Sequence, residues 1–238
     1  MHVGAAEQEA LFDIVPDVVY FAKDREGRYT SVNQTLVERC GRQHKWELLG
    51  RTPVDVFPRA LGESYAAQDR QVVTTGEAIL DRLELHLFPG RGPGWCLTRK
   101  LPIRDGRRVI GLVGVSRDLG RPDRHDPVYP RLARVVERIR ARVGDEVRVG
   151  DLARLAELSV SQLERQFRRV FQLTPHRFVV KLRVDRAARL LEEGRASIAT
   201  IAQACGYADH SAFTRQFRAV VGVTPREYQR LRRQDLDG

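Results

Sequence analysis

Ser161, Glu164, Arg165 and Arg168 share one side of a segment whose other side carries Leu163, Phe167 and Val170. Fifty residues on, His210, Ser211, Thr214, Arg215 and Arg218 stand in the same relation to Phe213, Phe217 and Val220. This spacing is helical, so each polar set faces away from an apolar stripe. A guanidinium fork matches the N7 and O6 edge of guanine, which gives Arg165 and Arg215 the chemistry of a base contact. Arg168 suits a phosphate, and Glu164 suits either cytosine N4 or the repulsion of phosphates that weakens nonspecific binding. An ordinary solvated helix face is the competing reading for each of these residues. No carboxylate pair or Ser/His/Asp order forms a catalytic set. The glycine-rich run from Gly90 to Gly94 joins two predicted strands and precedes no helix, so it reads as a loop.

The elements that must hold these residues repeat. From Ser197 to Tyr228, Ile198, Ile201, Ala202 and Cys205 recur at helical spacing, Gly206 offers a turn and Asp209 caps a second helix. Aligning Arg165-Gln-Phe167 with Arg215-Gln-Phe217 at an offset of 50 also pairs Ser161 with Ser211, Thr174-Pro175 with Thr224-Pro225 and Phe178 with Tyr228. Upstream of the turn the offset is 49, pairing Leu152-Ala153 with Ile201-Ala202. Chance does not readily reproduce such a pattern twice. Both copies read as helix-turn-helix units whose second helix is presented to DNA. Ser159 and Gln162 form a capping box at the start of the first such helix, which leaves Gln162 less free to reach a base. Pro175 begins a helix expected to run to Glu193 and stop at Gly194. Its 19 residues would span about 28 Å, close to the ~34 Å turn of B-DNA. An amphipathic support helix is expected from Tyr129 to Val143.

Charge follows the same division. Residues 1–120 hold 17 Lys+Arg against 16 Asp+Glu, whereas residues 121–238 hold 24 against 15. Most of the net charge of +10 therefore sits with the repeat, as a phosphate-backbone partner requires, although 37 of the 41 basic residues are Arg and a solvated surface would look similar. Cys40, Cys96 and Cys205 form no CxxC and meet no paired His cluster, which argues against a disulfide framework and a zinc site. No run approaches the ~18 apolar residues of a membrane span, so a cytoplasmic protein is expected.

In the first half, a short helix (about Glu7 to Ile14) precedes strands Val18–Ala22 and Arg28–Val32, joined by the turn-rich stretch from Lys23 to Gly27. Short helical turns follow over residues 33–57, then a helix from Leu61 to Thr75 ended by Gly76. Three strands come next, Leu80–Leu87, Trp95–Ile103 and Arg108–Ser116, with a tight turn at Asp105-Gly106. Tyr20, Trp46, Phe57 and Trp95 read as pocket-lining residues or as aromatic core. Pro16, Tyr20, Asp24, Gly27 and Asn33, then Leu49-Gly50-Arg51-Thr52, then Gly114-Val-Ser-Arg117-Asp118-Leu119 resemble the opening, middle and close of the PAS family. That resemblance implies a sensory or dimerising module. Glu38-Arg-Cys40-Gly-Arg42 does not resemble the flavin-reactive helix of photoreceptors in that family, and Cys40 is expected in the core. The long helix lacks a haem-ligating His, with His44 and His86 lying elsewhere. No cofactor is predicted, and the ligand of this half stays unspecified.

The second half, over about Tyr129 to Arg233, resembles the DNA-binding domain of AraC-family transcription regulators. The match is strongest at Arg189-Leu-Leu191, Ile198, Ile201-Ala202, Gly206-Tyr207, Phe213, Phe217 and Thr224-Pro225. Glu157 departs from the glycine often found at its turn position. The expected fold is thus an α+β PAS-like domain, an antiparallel sheet with helices, over residues 1–120. A linker over 121–128 and an all-α double helix-turn-helix domain over 129–238 complete it. The resemblance implies a non-enzymatic DNA-binding regulator with double-stranded DNA, RNA polymerase, a second copy of the chain and a small-molecule or protein signal as partners. A first domain that only joins subunits, without a ligand, is the alternative; an enzyme with a DNA-binding appendage is a remote one.

Overall fold

A computed structural model describes residues 5–86, 94–119 and 127–237. Residues 90–93 of the glycine-rich run, Leu87, Gly120 and residues 121–126 of the expected linker lie outside the described residues. The chain divides into two compact units, the first made of the residues up to Asp118 together with Ala219–Val223, the second of Leu119–Arg218 and the residues from Thr224 on.

The first unit is a five-stranded antiparallel sheet with helices. Helix α1 (Ala5–Asp13) leads to β1 (Val18–Asp24) and β2 (Tyr29–Val32); α2 (Gln34–Arg39), a 3-10 turn at Lys45–Glu47, α3 (Pro53–Val56) and α4 (Arg59–Thr75) follow. Strands β3 (Ile79–His86), β4 (Gly94–Asp105) and β5 (Arg108–Asp118) complete the sheet in the order β2-β1-β5-β4-β3. Lys23 and Asp24 prove to be strand residues and not turn residues, because β1 continues its pairing with β5 as far as Asp24 opposite Gly111. The turn itself is closed by the Gly27 amide, which donates to the Asp24 carbonyl. Asn33 ties three elements together: its side-chain oxygen accepts from the Tyr20 amide and caps α2 at the Leu36 amide, while its Nδ2 donates to the carbonyls of Val18 and Phe12. Arg39 grips Asp118 through both guanidinium nitrogens at 2.6 and 2.8 Å. The core gathers Val19, Phe21, Tyr29, Val32, Leu36, Val37, Cys40, Leu48, Val72 and Leu112. Helix α4 ends at Gly76 in the left-handed conformation, as expected. Trp46 neither lines a pocket nor joins the core: it is 70% exposed and stacks on His44, because the short 3-10 turn points it outward.

The second unit is helical. α5 (Tyr129–Ala141) stops two residues short of the expected end, yet Val143 is still buried. α6 (Val149–Leu155) and α7 (Val160–Phe171) form the first copy, and α9 (Ile198–Ala204) and α10 (His210–Val221) the second. Between them α8 runs from Pro175 to Glu193, with Thr174 as N-cap and Gly194 as left-handed C-cap. α11 (Pro225–Asp237) closes the unit. Each copy has its own aromatic centre: Phe167, Phe171 and Phe178 meet in the first, and Phe213, Phe217 and Tyr228 in the second. Burying such rings contributes on the order of 2–3 kcal/mol apiece, which is what lets helices as short as α6 and α9 persist.

Candidate functional site

Helices α7 and α10 bury one stripe and leave the other to solvent. Leu163 and Phe167 are fully buried in α7, as are Phe213 and Phe217 in α10. The opposite face of α7 exposes Ser161, Arg165 and Arg168, and that of α10 exposes His210, Ser211, Arg215 and Arg218, while Glu164 and Thr214 are half-buried. The expected residues therefore stand together on one polar face in each helix. The face starts where it does because Ser159 accepts from the Gln162 amide and Gln162 Oε1 accepts from the Ser159 amide. At α10 the Asp209 carboxylate accepts from the Ala212 amide at 2.7 Å. Arg168 leans on Glu164 at 3.5 Å, an exposed pair worth little by itself.

The turns before these helices use different residues for the same backbone conformation. Gly206 has φ +77°, and a Cβ there would meet the Gly144 carbonyl oxygen at 2.6 Å, so the position needs glycine for space as well as angle. In the first copy Glu157 adopts φ +56° without that crowding to force a glycine. At the ends of α7 and α10, Gln172 and Gly222 repeat the contrast, at φ +59° and +88°. The first contrast shows in the sequence as Glu157 at a turn position that favours glycine; the second does not show there.

The first unit holds a second site that the sequence did not disclose. A cavity of about 40 Å³, room for a water or two, lies against the sheet and is lined by Phe21, Lys23, Tyr65, Glu84, His86 and Lys100 among others. Phe57, one of the expected aromatics, lines it, whereas Tyr20 is buried against Phe12 with ring centres 4.4 Å apart. Asp69 on α4 accepts from Lys23 Nζ at 2.5 Å and from Lys100 Nζ at 2.6 Å. All three are at most 3% exposed. Burial pushes the Asp69 carboxyl up, but the Lys100 and Lys23 ammonium groups outweigh it and hold the group below its ordinary range. Burial likewise pulls Lys23 down to about 8, against the attraction of Asp69.

Beside this triad, Glu84, His86 and Cys96 come together. Glu84 and His86 are two apart on β3 and so face the same side, and the pairing of β3 with β4 sets Cys96 opposite Glu84. His86 Nε2 lies 3.2 Å from Glu84 Oε2, and Gln68 Nε2 donates to Glu84 Oε1 at 2.8 Å. Burial opposes the charge on both Glu84 and His86, yet the His86 ring holds Glu84 at about 2, and Cys96 and Glu84 lift His86 to about 10. Thr98 and Ser116 share a hydroxyl hydrogen bond of 2.9 Å on the next positions of the same face. Which residue of a second strand joins Glu84 and His86 is set by the β3–β4 register, which the spacing of residues along one strand does not encode.

Comparison with known proteins gives two family matches, a helix-turn-helix domain over residues 152–231 and a PAS fold over residues 12–124. A putative AraC-like transcription regulator of Streptomyces lividans is 34% identical over 229 residues, which is 95% of this chain and 60% of that protein. The HTH-type transcriptional regulator GbdR of Pseudomonas aeruginosa is 32% identical over 194 residues, or 76% of this chain and 50% of its own length. The chain thus spans little more than half the length of these relatives. Among solved structures, a transcriptional regulator with an AraC-type DNA-binding domain from Chromobacterium violaceum superposes with a TM-score of 0.41 at 31% identity, covering 44% of this chain and 94% of that one.

Proposed function

We propose that the chain, which matches a helix-turn-helix domain over residues 152–231 and a PAS fold over residues 12–124, is a DNA-binding transcription regulator of the AraC type. Residues 129–238 are the DNA-binding part and residues 1–120 the sensory part, joined over 121–128. The observation that carries the reading is the pair of matched helices. α7 and α10 each bury an aromatic stripe and expose Ser161, Arg165 and Arg168 or Ser211, Arg215 and Arg218 at equivalent positions. α8 separates the copies by a helix of about 28 Å, which suits successive major grooves on one face of B-DNA. Arg165 and Arg215 read base edges, with Glu164, His210 and Thr214 beside them, and Arg168 and Arg218 hold phosphates.

Binding, and not chemistry, is the proposed activity. Double-stranded DNA is the principal partner, with RNA polymerase and a second copy of the chain as further ones, in the cytoplasm. Among the described residues no helix is long and apolar enough to cross a membrane. The cavity in the first unit, with Lys23, Glu84, His86 and Lys100 in its lining, supports a sensory role, since a module that only joined subunits has no need of so many buried ionisable groups. Selection of bound duplexes from a random pool tests the reading: two asymmetric base blocks about one helical turn apart are expected. Enrichment of a single block, or of none, would overturn it.

A further inference from the structure

The Glu84, His86 and Cys96 cluster belongs neither to the proposed DNA-reading faces nor to the Lys23, Asp69 and Lys100 triad. Its donor atoms, one carboxylate oxygen, one imidazole nitrogen and one sulfur, all lie within 4.8 Å of one another. A tetrahedral ion with bonds of about 2.0–2.3 Å holds its ligand atoms roughly 3.3–3.8 Å apart, so these side chains need move by only about an ångström or less to share one. The backbone fixes the arrangement, because Glu84 and Cys96 are direct partners across the β3–β4 ladder and His86 follows on the same face.

We propose that Glu84, His86 and Cys96 form a three-ligand site for one transition-metal dication of the zinc type, its fourth position opening on the cavity lined by Tyr65 and Lys100. Mixed oxygen, nitrogen and sulfur donors favour zinc and its neighbours over calcium or magnesium, which take oxygen alone. A carboxylate and a thiolate together neutralise a dication, so the ion enters a closed interior without leaving net charge there. Outer partners are in place as well. Gln68 orients the Glu84 carboxylate from Nε2, and its Oε1 is buried with no hydrogen-bond partner among the described residues. The Thr98 hydroxyl lies 3.7 Å from the Cys96 sulfur. Such outer contacts hold first ligands in their binding orientation. The lysines nearby do not repel the ion at full strength, since each is already bound to Asp69. This site stands whether or not the helical half binds DNA.

Cobalt titration of the reduced, chelator-stripped full chain tests the proposal, because cobalt reports a bound thiolate by a charge-transfer absorption. Saturation at one ion per chain and displacement by zinc are expected. Cys96→Ser should remove the absorption, whereas Cys40→Ser and Cys205→Ser, at the other two thiols, should leave it intact. His86→Gln should weaken cobalt binding by roughly tenfold or more. The proposal fails if the wild-type chain gives no saturable absorption, or if Cys96→Ser retains it. Should Cys96→Ser prove unfolded by circular dichroism, His86→Gln decides alone, and unchanged affinity there overturns the site.

Discussion

The Tyr228 hydroxyl donates to the Glu192 carboxylate at 2.8 Å, joining α11 to the end of α8 in a way that its counterpart in the first copy, Phe178, cannot repeat. Arg232 holds the same Glu192 oxygen at 3.0 Å. Tyr228→Phe keeps the ring packed against Phe217 and removes only this bond, so a loss of about 1–2 kcal/mol is expected in urea unfolding. A loss near zero would mean that Arg232 alone satisfies Glu192.

Arg165 and Arg215 occupy equivalent exposed positions, yet on the proposed reading they face different ends of one DNA site. Arg165→Ala should relax base preference at one position by about 1–3 kcal/mol, and Arg215→Ala should do so at the other end. Binding-site selection with each variant checks this; both variants relaxing the same block would contradict the assignment.

Arg168 is engaged by Glu164 at 3.5 Å, so on the proposed reading the carboxylate tempers a cation that meets phosphate. Glu164→Gln is expected to strengthen nonspecific binding and steepen its salt dependence, while Arg168→Ala should reduce the slope of log K against log salt by about one. Titrations at several salt concentrations separate the two.

Asp69 is the single acceptor shared by two buried lysines, and its removal leaves both without their counter-charge. Asp69→Asn should cost about 3–5 kcal/mol at neutral pH. The folded pKa of Asp69 lies below its ordinary value of 3.8, so its stabilisation is complete above that value and is lost as pH falls through the folded one. The gap in urea midpoint between wild type and variant should therefore narrow in acid. A gap independent of pH would show that packing and not charge sets the effect.

Much of the scaffold was legible because it rests on local rules. Pro175 and Gly194 bound α8 at the expected residues, and Ser159 with Gln162 fixes the start of α7, since caps depend on neighbours three or four positions away. Gly76 and the Asp105-Gly106 turn were readable for the same reason. The interior of the first unit was not. Lys23, Asp69 and Lys100 come from β1, α4 and β4, and their meeting depends on strand order, which periodicity does not encode. Cys96 is likewise silent until the β3–β4 register is known; a search for CxxC spacing passes over a thiol whose companions are on another strand. Trp46 misled because a large aromatic beside polar residues promises burial, and a three-residue turn has no face to bury it.

Gln172 ends α7 with φ +59°, where the second copy places Gly222. Gln172→Gly should raise stability by up to about 1 kcal/mol, because a side chain in the left-handed region is strained and glycine is not. Thermal unfolding checks the sign, and a fall in Tm would mean that the Gln172 side chain contributes more than its backbone costs.

Because α8 is one uninterrupted rod of 19 residues, the angular phase between the two reading helices is counted in residues. Adding one would swing the second copy by about 100° and carry it forward about 1.5 Å; adding seven would nearly restore the phase but lengthen the reach by about 10 Å. On the proposed reading the chain thus carries a gauge of both length and twist, cut before any duplex is met, and a site of another spacing must bend to that gauge or be refused.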